Sequence, residues 1–116
     1  MQAFTIKDLA AQLQQQRDPY FEFLRVPPMS AGLYMLPAGG VDPQLPHTED
    51  EVYYIVSGSA SILVGEENKE VEAGSIIFVA ANVEHRFHSI RENLAVLVFF
   101  APAEYTLANK NDQEKS

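Results

Sequence analysis

The sequence predicts an all-β domain that follows one short N-terminal helix. From Tyr20 onward, short runs rich in Val, Ile, Tyr and Phe recur at intervals of about ten residues, which is typical of consecutive β-strands. Pro, Gly, Asn and charged clusters separate these runs and predict turns. With 116 residues, of which 47% are hydrophobic, the chain has the size and composition of one globular domain with its own core.

Residues 1–19 are predicted to form a short helix and the lead-in to the first strand. Thr5 stands three residues before Asp8, a variant of the capping box that marks the start of a helix. Asp18-Pro19 stops the helix, because a residue that precedes proline avoids helical geometry. One face of the helix is apolar and predicts a brace or lid against the rest of the domain; this face comprises Ile6, Leu9, Ala10 and Leu13.

Residues 20–103 carry the strand pattern and are predicted to form the β-domain. Residues 52–56 and 94–100 are apolar on both faces, which favours strands covered on both sides, as in a barrel that also dimerises. Residues 57–59 and 65–68 are both expected to form hairpins, because each contains a glycine that permits positive φ. The predicted strands are residues 20–26, 31–36, 51–57, 59–64, 69–71, 75–79, 85–90 and 94–100.

Residues 104–116 form a polar tail at the C-terminal end. Its last eight residues, Asn109 to Ser116, contain no large apolar side chain. Such a segment buries too little apolar area to offset the entropy of ordering, and the tail is therefore predicted to be disordered.

Composition excludes several classes of function. The chain has eight basic and sixteen acidic residues, which gives a net charge of −8. The basic residues are scattered singly along the sequence, so nucleic acid is not an expected partner. The longest apolar run, residues 94–101, is far shorter than the ~20 residues that span a bilayer, and the N-terminus does not resemble a signal peptide. We therefore expect a cytoplasmic protein without membrane contact. Because the chain has no Cys, any metal would be held by His and carboxylates.

Two of the three histidines stand at the starts of predicted strands, beside acidic residues. If the segment from His47 to Glu51 is regular, strand alternation places His47, Glu49 and Glu51 on one face, and His85 can approach from an adjoining strand. Two imidazoles and one carboxylate make the facial arrangement that holds a divalent cation and leaves positions open for water or substrate. On spacing alone, a solvated acidic loop is the alternative interpretation.

A longer motif around His47 resembles the first signature of the cupin family. Five residues separate Gly39 from Leu45, one residue separates Leu45 from His47, three separate His47 from Glu51, and six separate Glu51 from Gly58. In cupins the position of Leu45 is normally a second His. An alternative alignment with a two-residue shortening makes His47 the equivalent of that first His.

The second cupin signature is also recognisable, in a looser form. Five residues separate Gly74 from Ala80. Asn82 and His85 follow, and Ser89 comes four residues after His85. Cupins usually have Pro, Gly and Asn where this chain has Ala80, Asn82 and Ser89. The two signatures are 15 residues apart, as in the small single-domain members of the family.

The resemblance implies a double-stranded β-helix, or jelly-roll barrel, which is usually dimeric and holds a metal or small ligand inside. The resemblance implies that His47, Glu51 and His85 bind one divalent transition metal per chain, which would be Mn, Fe, Zn or Ni. Because Leu45 stands where cupins normally have a histidine, one of the four usual ligands is missing. Waters, or Glu49, would take the vacant position.

The predicted function is a metal-dependent enzyme of the dioxygenase, isomerase or epimerase type that acts on a small organic molecule. Glu49 and Tyr53 are the candidates for proton transfer. Tyr34, Leu45 and Phe87 are the candidates for substrate contact. The alternatives are a non-catalytic module that binds a small molecule or sugar, with or without metal, and a degenerate barrel retained for its dimer interface.

Overall fold

The computed structural model describes residues 1–108. Over that range the chain forms one helix and six strands. The elements are α1 (Ile6–Leu13), β1 (Tyr20–Val26), β2 (Met29–Leu36), β3 (Asp50–Val64), β4 (Glu67–Glu72), β5 (Ile76–Val79) and β6 (His85–Ala101). Within residues 1–108 the single helix has eight residues and is too short to span a membrane.

The predicted N-terminal helix is present and begins at its predicted cap. The Thr5 side chain accepts a hydrogen bond from the backbone N–H of Asp8 at 3.2 Å, which satisfies one of the free donors of the first turn. Leu9 and Leu13 bury their side chains against Leu33 of β2. The helix therefore braces the outer face of the sheet.

The six strands pair antiparallel in the order β1-β2-β6-β3-β4, and β5 pairs with β3. The long strands β3 and β6 run side by side through both halves of the fold, from the pair Asp50 and Ala101 to the pair Val64 and His85. The core lies between the curved layers, and its largest fully buried side chains include Tyr53, Phe87, Phe100, Ile55 and Ile62. The all-β jelly-roll prediction is confirmed.

The hairpin predicted at residues 57–59 is wrong, because β3 continues through this segment. Gly58 has a φ of +93°, and the pairing of β3 with β6 shifts register on both sides of Ser57. The positive φ thus makes a bulge that bends one long strand instead of a turn that ends it. A Cβ at Gly58 would lie 2.2 Å from the Asn93 carbonyl oxygen, so the two strands touch here. The other predicted hairpin, at residues 65–68, is confirmed, since Val64 pairs with Glu67.

The segment after β6 returns over the end of the barrel. Residues 104–107 form turns, and the Glu104 N–H donates to Ser30 Oγ of β2 at 2.9 Å. The described part of the predicted polar tail, residues 104–108, therefore contacts the barrel. Residues 109–116 of that prediction lie outside the described residues.

Candidate metal centre

Three side chains from separate parts of the chain converge inside the barrel. His47 comes from the segment between β2 and β3, Glu51 from the start of β3, and His85 from the start of β6. One ligand atom from each lies within 4.8 Å of the others, and all three residues are buried. The structure thus brings together the three residues that the sequence singled out as metal ligands.

The distances in this cluster are those of ion pairs, but the directions are not those of hydrogen bonds. Glu51 Oε1 lies 2.8 Å from His85 Nε2 and 3.4 Å from His47 Nδ1. Even so, both Glu51 oxygens and these two nitrogens have no hydrogen-bond partner among residues 1–108. Buried polar atoms almost always have a partner. Four unpartnered polar atoms around one point therefore fit a bound cation.

The remaining nitrogen of each imidazole is held from outside the cluster. His85 Nδ1 lies 2.9 Å from the Val83 carbonyl oxygen, and His47 Nε2 lies 3.0 Å from Glu104 Oε2. Metal-binding histidines are oriented in this way, because an acceptor on one ring nitrogen leaves the lone pair of the other free. Both rings are thus aimed at Glu51.

In each of the three cluster residues, neighbouring groups shift the pKa in the direction opposite to the shift that burial causes. Burial raises the pKa of Glu51, but His47 and His85 outweigh it and hold this pKa below its ordinary value. Burial lowers the pKa of His47, but the carboxylates of Glu104 and Glu51 raise it to about 9. Burial also lowers the pKa of His85, and Glu51 and the Val83 carbonyl reverse this effect and raise it. The carboxylates thus create a negative environment that favours a cation, either a proton or a metal.

A cavity of about 900 Å³ adjoins the cluster on the His47 side. Its wall is mainly apolar and includes Tyr34 and Leu45, two of the three residues predicted to contact substrate. The Tyr20 hydroxyl is buried at this wall and has no hydrogen-bond partner within the described chain. The third predicted contact, Phe87, is 1% exposed and packs in the core against the ring of Tyr53.

The two candidates for proton transfer occupy different places. The Tyr53 ring centroid lies 5.9 Å from that of His85, and its hydroxyl donates to Gln44 Oε1 at 3.1 Å. The structure does not bring Glu49 into the cluster. Its carboxylate accepts the backbone N–H groups of Tyr105 at 2.6 Å and Leu107 at 2.8 Å, so it anchors the C-terminal segment.

Sequence reasoning missed two carboxylates that support the site. Asp42 is 7% exposed and accepts hydrogen bonds from the Tyr34 hydroxyl and the Phe87 N–H, tying the segment that carries His47 to β2 and β6. It also accepts the N–H of Gln44, a local Asx turn that the sequence Asp42-Pro43-Gln44 can suggest. Glu104 lies within the predicted polar tail, where no sequence pattern indicated a contact with His47.

Comparison with known proteins agrees with the fold and the motifs. Residues 32–100 match the family model described as Cupin domain. That match covers more than half of the chain and runs from within β2 to within β6, with His47, Glu51 and His85 inside it. The chain belongs to the cupin family.

Similar proteins include one curated relative and many solved structures. The relative, "Uncharacterized protein SCO3923" of Streptomyces coelicolor, is 49% identical over 104 residues, covering 90% of this chain and 99% of that protein. The crystal structure of TT1209 from Thermus thermophilus has a TM-score of 0.72 at 24% identity, covering 89% of this chain and 99% of the other. The DMSP lyase DddQ from Ruegeria pomeroyi has a TM-score of 0.64 at 22% identity, covering 72% of this chain and 42% of the other.

Replacing Asp42 should destabilise the fold and loosen the segment that carries His47. In Asp42→Ala, the buried Phe87 N–H and Tyr34 hydroxyl lose their acceptor, and we expect the free energy of unfolding to fall by about 3 kcal/mol. Urea unfolding followed by circular dichroism measures this change. The control is Asp50→Ala, which removes an exposed acceptor of the Ala81 N–H and should cost less than about 1 kcal/mol. Equal losses in the two variants would contradict the bridging role of Asp42.

Proposed function

We propose that this cupin is a metal-dependent enzyme that binds one divalent transition metal ion per chain through His47, Glu51 and His85. The observation that carries the proposal is the convergence of buried, unpartnered nitrogen and oxygen atoms from these three side chains. Their outer atoms are already oriented, so the ligands are arranged before the ion arrives.

The donor set limits the ion and its coordination. Two imidazole nitrogens and one carboxylate oxygen suit Mn, Fe, Zn or Ni. Three protein ligands leave at least one position for water or substrate, which is the arrangement of catalytic rather than structural sites. Leu45 is 78% exposed at the cavity wall, so the position of the usual fourth ligand contributes apolar surface instead.

The cavity supports a small organic substrate that carries oxygen atoms. An apolar wall with a few polar groups is typical of small-molecule sites. Tyr20 also lines the cavity, but its hydroxyl is fully buried beside Gly32, so a substrate would reach this oxygen only after the ring moved. A bound metal would polarise a carbonyl or enediol oxygen. Isomerases and epimerases can use such a step, an oxygenase would use the redox chemistry of the metal instead, and the similar DMSP lyase supports an enzyme on this fold.

Neither candidate for proton transfer is free in this structure. Burial raises the pKa of the Tyr53 phenol well above its ordinary value, so the group stays protonated, and its hydroxyl already donates to Gln44 Oε1. Both oxygens of the Glu49 carboxylate are engaged by backbone N–H groups, which reduces its availability as a base.

A second candidate function is a metal-free module that binds a small molecule or sugar. The observation in its favour is the 2.8 Å ion pair between Glu51 and His85, in which the two charges compensate each other without a metal. In that case the same cavity would hold a ligand without converting it.

Removing one imidazole should abolish metal binding and lower the stability of the metal-free protein, because the buried Glu51 carboxylate loses one of its two partners. We expect wild-type protein purified without an affinity tag or chelator to contain one transition-metal ion per chain by elemental analysis, and His85→Ala to contain none. The matched control is His88→Ala on the same strand, where the ring contacts Asn68 and Ser89 outside the cluster. The metal should raise the melting temperature of wild type and of the control only.

The result that would contradict the proposal is a wild-type protein that holds no metal and takes up none of Mn, Fe, Zn or Ni on incubation. The metal-free binding module would then be the better account of the cluster.

A homodimer forms a further part of the proposed function. Ile76 and Phe78 of β5 are 71% and 60% exposed. They pair with Tyr54 and Val52 of β3, so all four side chains project from the outer face of the sheet. Apolar surface of this kind marks interaction sites, and a two-fold related copy presents the same residues in return. We therefore propose that a second copy of the chain covers this face.

Introducing charge on this face should separate the dimer. Size-exclusion chromatography with light scattering should give twice the chain mass of 12.9 kDa for wild type and the mass of one chain for the double variant Ile76→Lys, Phe78→Lys. Val41→Lys, at a position 83% exposed in the segment before β3, is the control and should remain dimeric. A wild type that elutes with the mass of one chain would overturn the dimer.

A further inference from the structure

Glu104 reaches the candidate metal centre from outside the ligand cluster. It follows β6 in the segment that returns over the barrel end, and its Oε2 lies 3.0 Å from His47 Nε2. The side chain is 11% exposed, and the residue also lines the cavity. His47 is thus flanked by two carboxylates, with Glu51 Oε1 at 3.4 Å from its Nδ1.

Three separate contacts hold Glu104 in place. Its backbone N–H donates to Ser30 Oγ at 2.9 Å, and its carbonyl oxygen accepts from Arg25 at 2.8 Å. The next residue, Tyr105, donates its N–H to the buried Glu49 carboxylate at 2.6 Å. The carboxylate of Glu104 is therefore presented to His47 by a fixed backbone. This arrangement also gives Glu49 a role, because Glu49 holds the segment that carries Glu104.

The position of Glu104 determines which nitrogen of His47 is free. An imidazole that binds a metal is neutral and carries a single N–H, on the nitrogen that does not bind the metal. A carboxylate has only acceptors, so Glu104 favours the tautomer in which Nε2–H donates to it and the lone pair of Nδ1 faces Glu51. The Val83 carbonyl acts on His85 in the same way, through Nδ1, and leaves Nε2 facing Glu51. Each ring is thus contacted from outside the cluster, His85 by a hydrogen bond with a carbonyl oxygen and His47 by an ion pair with a carboxylate.

We propose that Glu104 is a positioning residue, which fixes the tautomer and ring orientation of His47 so that Nδ1 binds the metal. The inference rests on the proposed metal site. Glu104 is not itself a ligand in this account, because the imidazole ring stands between its contact at Nε2 and the nitrogen that faces Glu51. A carboxylate in this position typically changes metal affinity by about 10- to 100-fold.

The test compares zinc affinity in wild type, Glu104→Ala and Glu104→Gln, measured by competition with a chromophoric chelator. Glu104→Ala should bind zinc about 10- to 100-fold more weakly. Glu104→Gln should recover part of this loss, because its amide oxygen still accepts the Nε2–H although it carries no charge. The control is Glu84→Gln, which makes the same charge change at an exposed residue beside His85 and should leave the affinity unchanged.

Two spectroscopic measurements separate positioning from ligation and from a merely structural role. Long-range ¹H–¹⁵N spectra of the zinc form should show His47 protonated at Nε2 in wild type. The visible spectrum of the cobalt form should show the same coordination number in wild type and Glu104→Gln. A His47 that binds zinc through Nε2, or a cobalt spectrum that reports a lost ligand in Glu104→Gln, would overturn the proposal.

The outcomes also distinguish this inference from the proposed function. Wild-type affinity in Glu104→Ala would overturn the role of Glu104 and leave the metal site standing. Absence of zinc binding in wild type would overturn both. Melting curves of the metal-free variants show whether Glu104→Ala is folded, and Glu104→Gln carries the test if it is not.

Discussion

The structure depends on one buried carboxylate, Glu51, which is 2% exposed in the first half of β3. A carboxylate in such a place is strongly unfavourable unless positive charge or hydrogen bonds compensate it. Here the compensation comes from His47 and His85, and neither ring makes a regular hydrogen bond to it within the described residues. The barrel therefore places a buried negative charge where two imidazoles meet, and this arrangement supports the proposed metal site.

The rest of the molecule arranges the groups around that carboxylate. Asp42 ties the segment that carries His47 to two strands, and Glu49 anchors the returning segment that carries Glu104. Successive side chains of β3 point alternately to the inside and the outside of the barrel. Glu51 and Tyr53 point inward to the site and core, whereas Tyr54 projects outward to the apolar face proposed for the dimer. One strand thus contributes to both the proposed site and the proposed interface.

The parts of this arrangement that rest on local sequence patterns could be predicted. The Thr5 cap, the apolar runs of the strands and the spacing from His47 to Glu51 are all local, and the helix and the all-β fold agree with prediction. The long strands were harder, because the residues around Gly58 have the composition of a turn. Only the pairing of β3 with β6 shows that the glycine makes a bulge.

The supporting carboxylates could not be predicted from the sequence, because their contacts join distant residues. Glu104 meets His47 across the returning segment, in a stretch whose composition indicated disorder. Glu49 stands between two predicted ligand residues, and alternation placed it with them. Its carboxylate instead binds backbone N–H groups more than fifty residues later in the chain, a contact that no local pattern encodes.

The most direct test of the metal centre is a crystal structure of the zinc-loaded protein with an anomalous difference map recorded at the zinc edge. The predicted result is one strong peak per chain inside the barrel, about 2.0–2.2 Å from a ligand atom of each of His47, Glu51 and His85. A map with no peak at this position, with zinc found only on exposed acidic side chains, would contradict the metal centre.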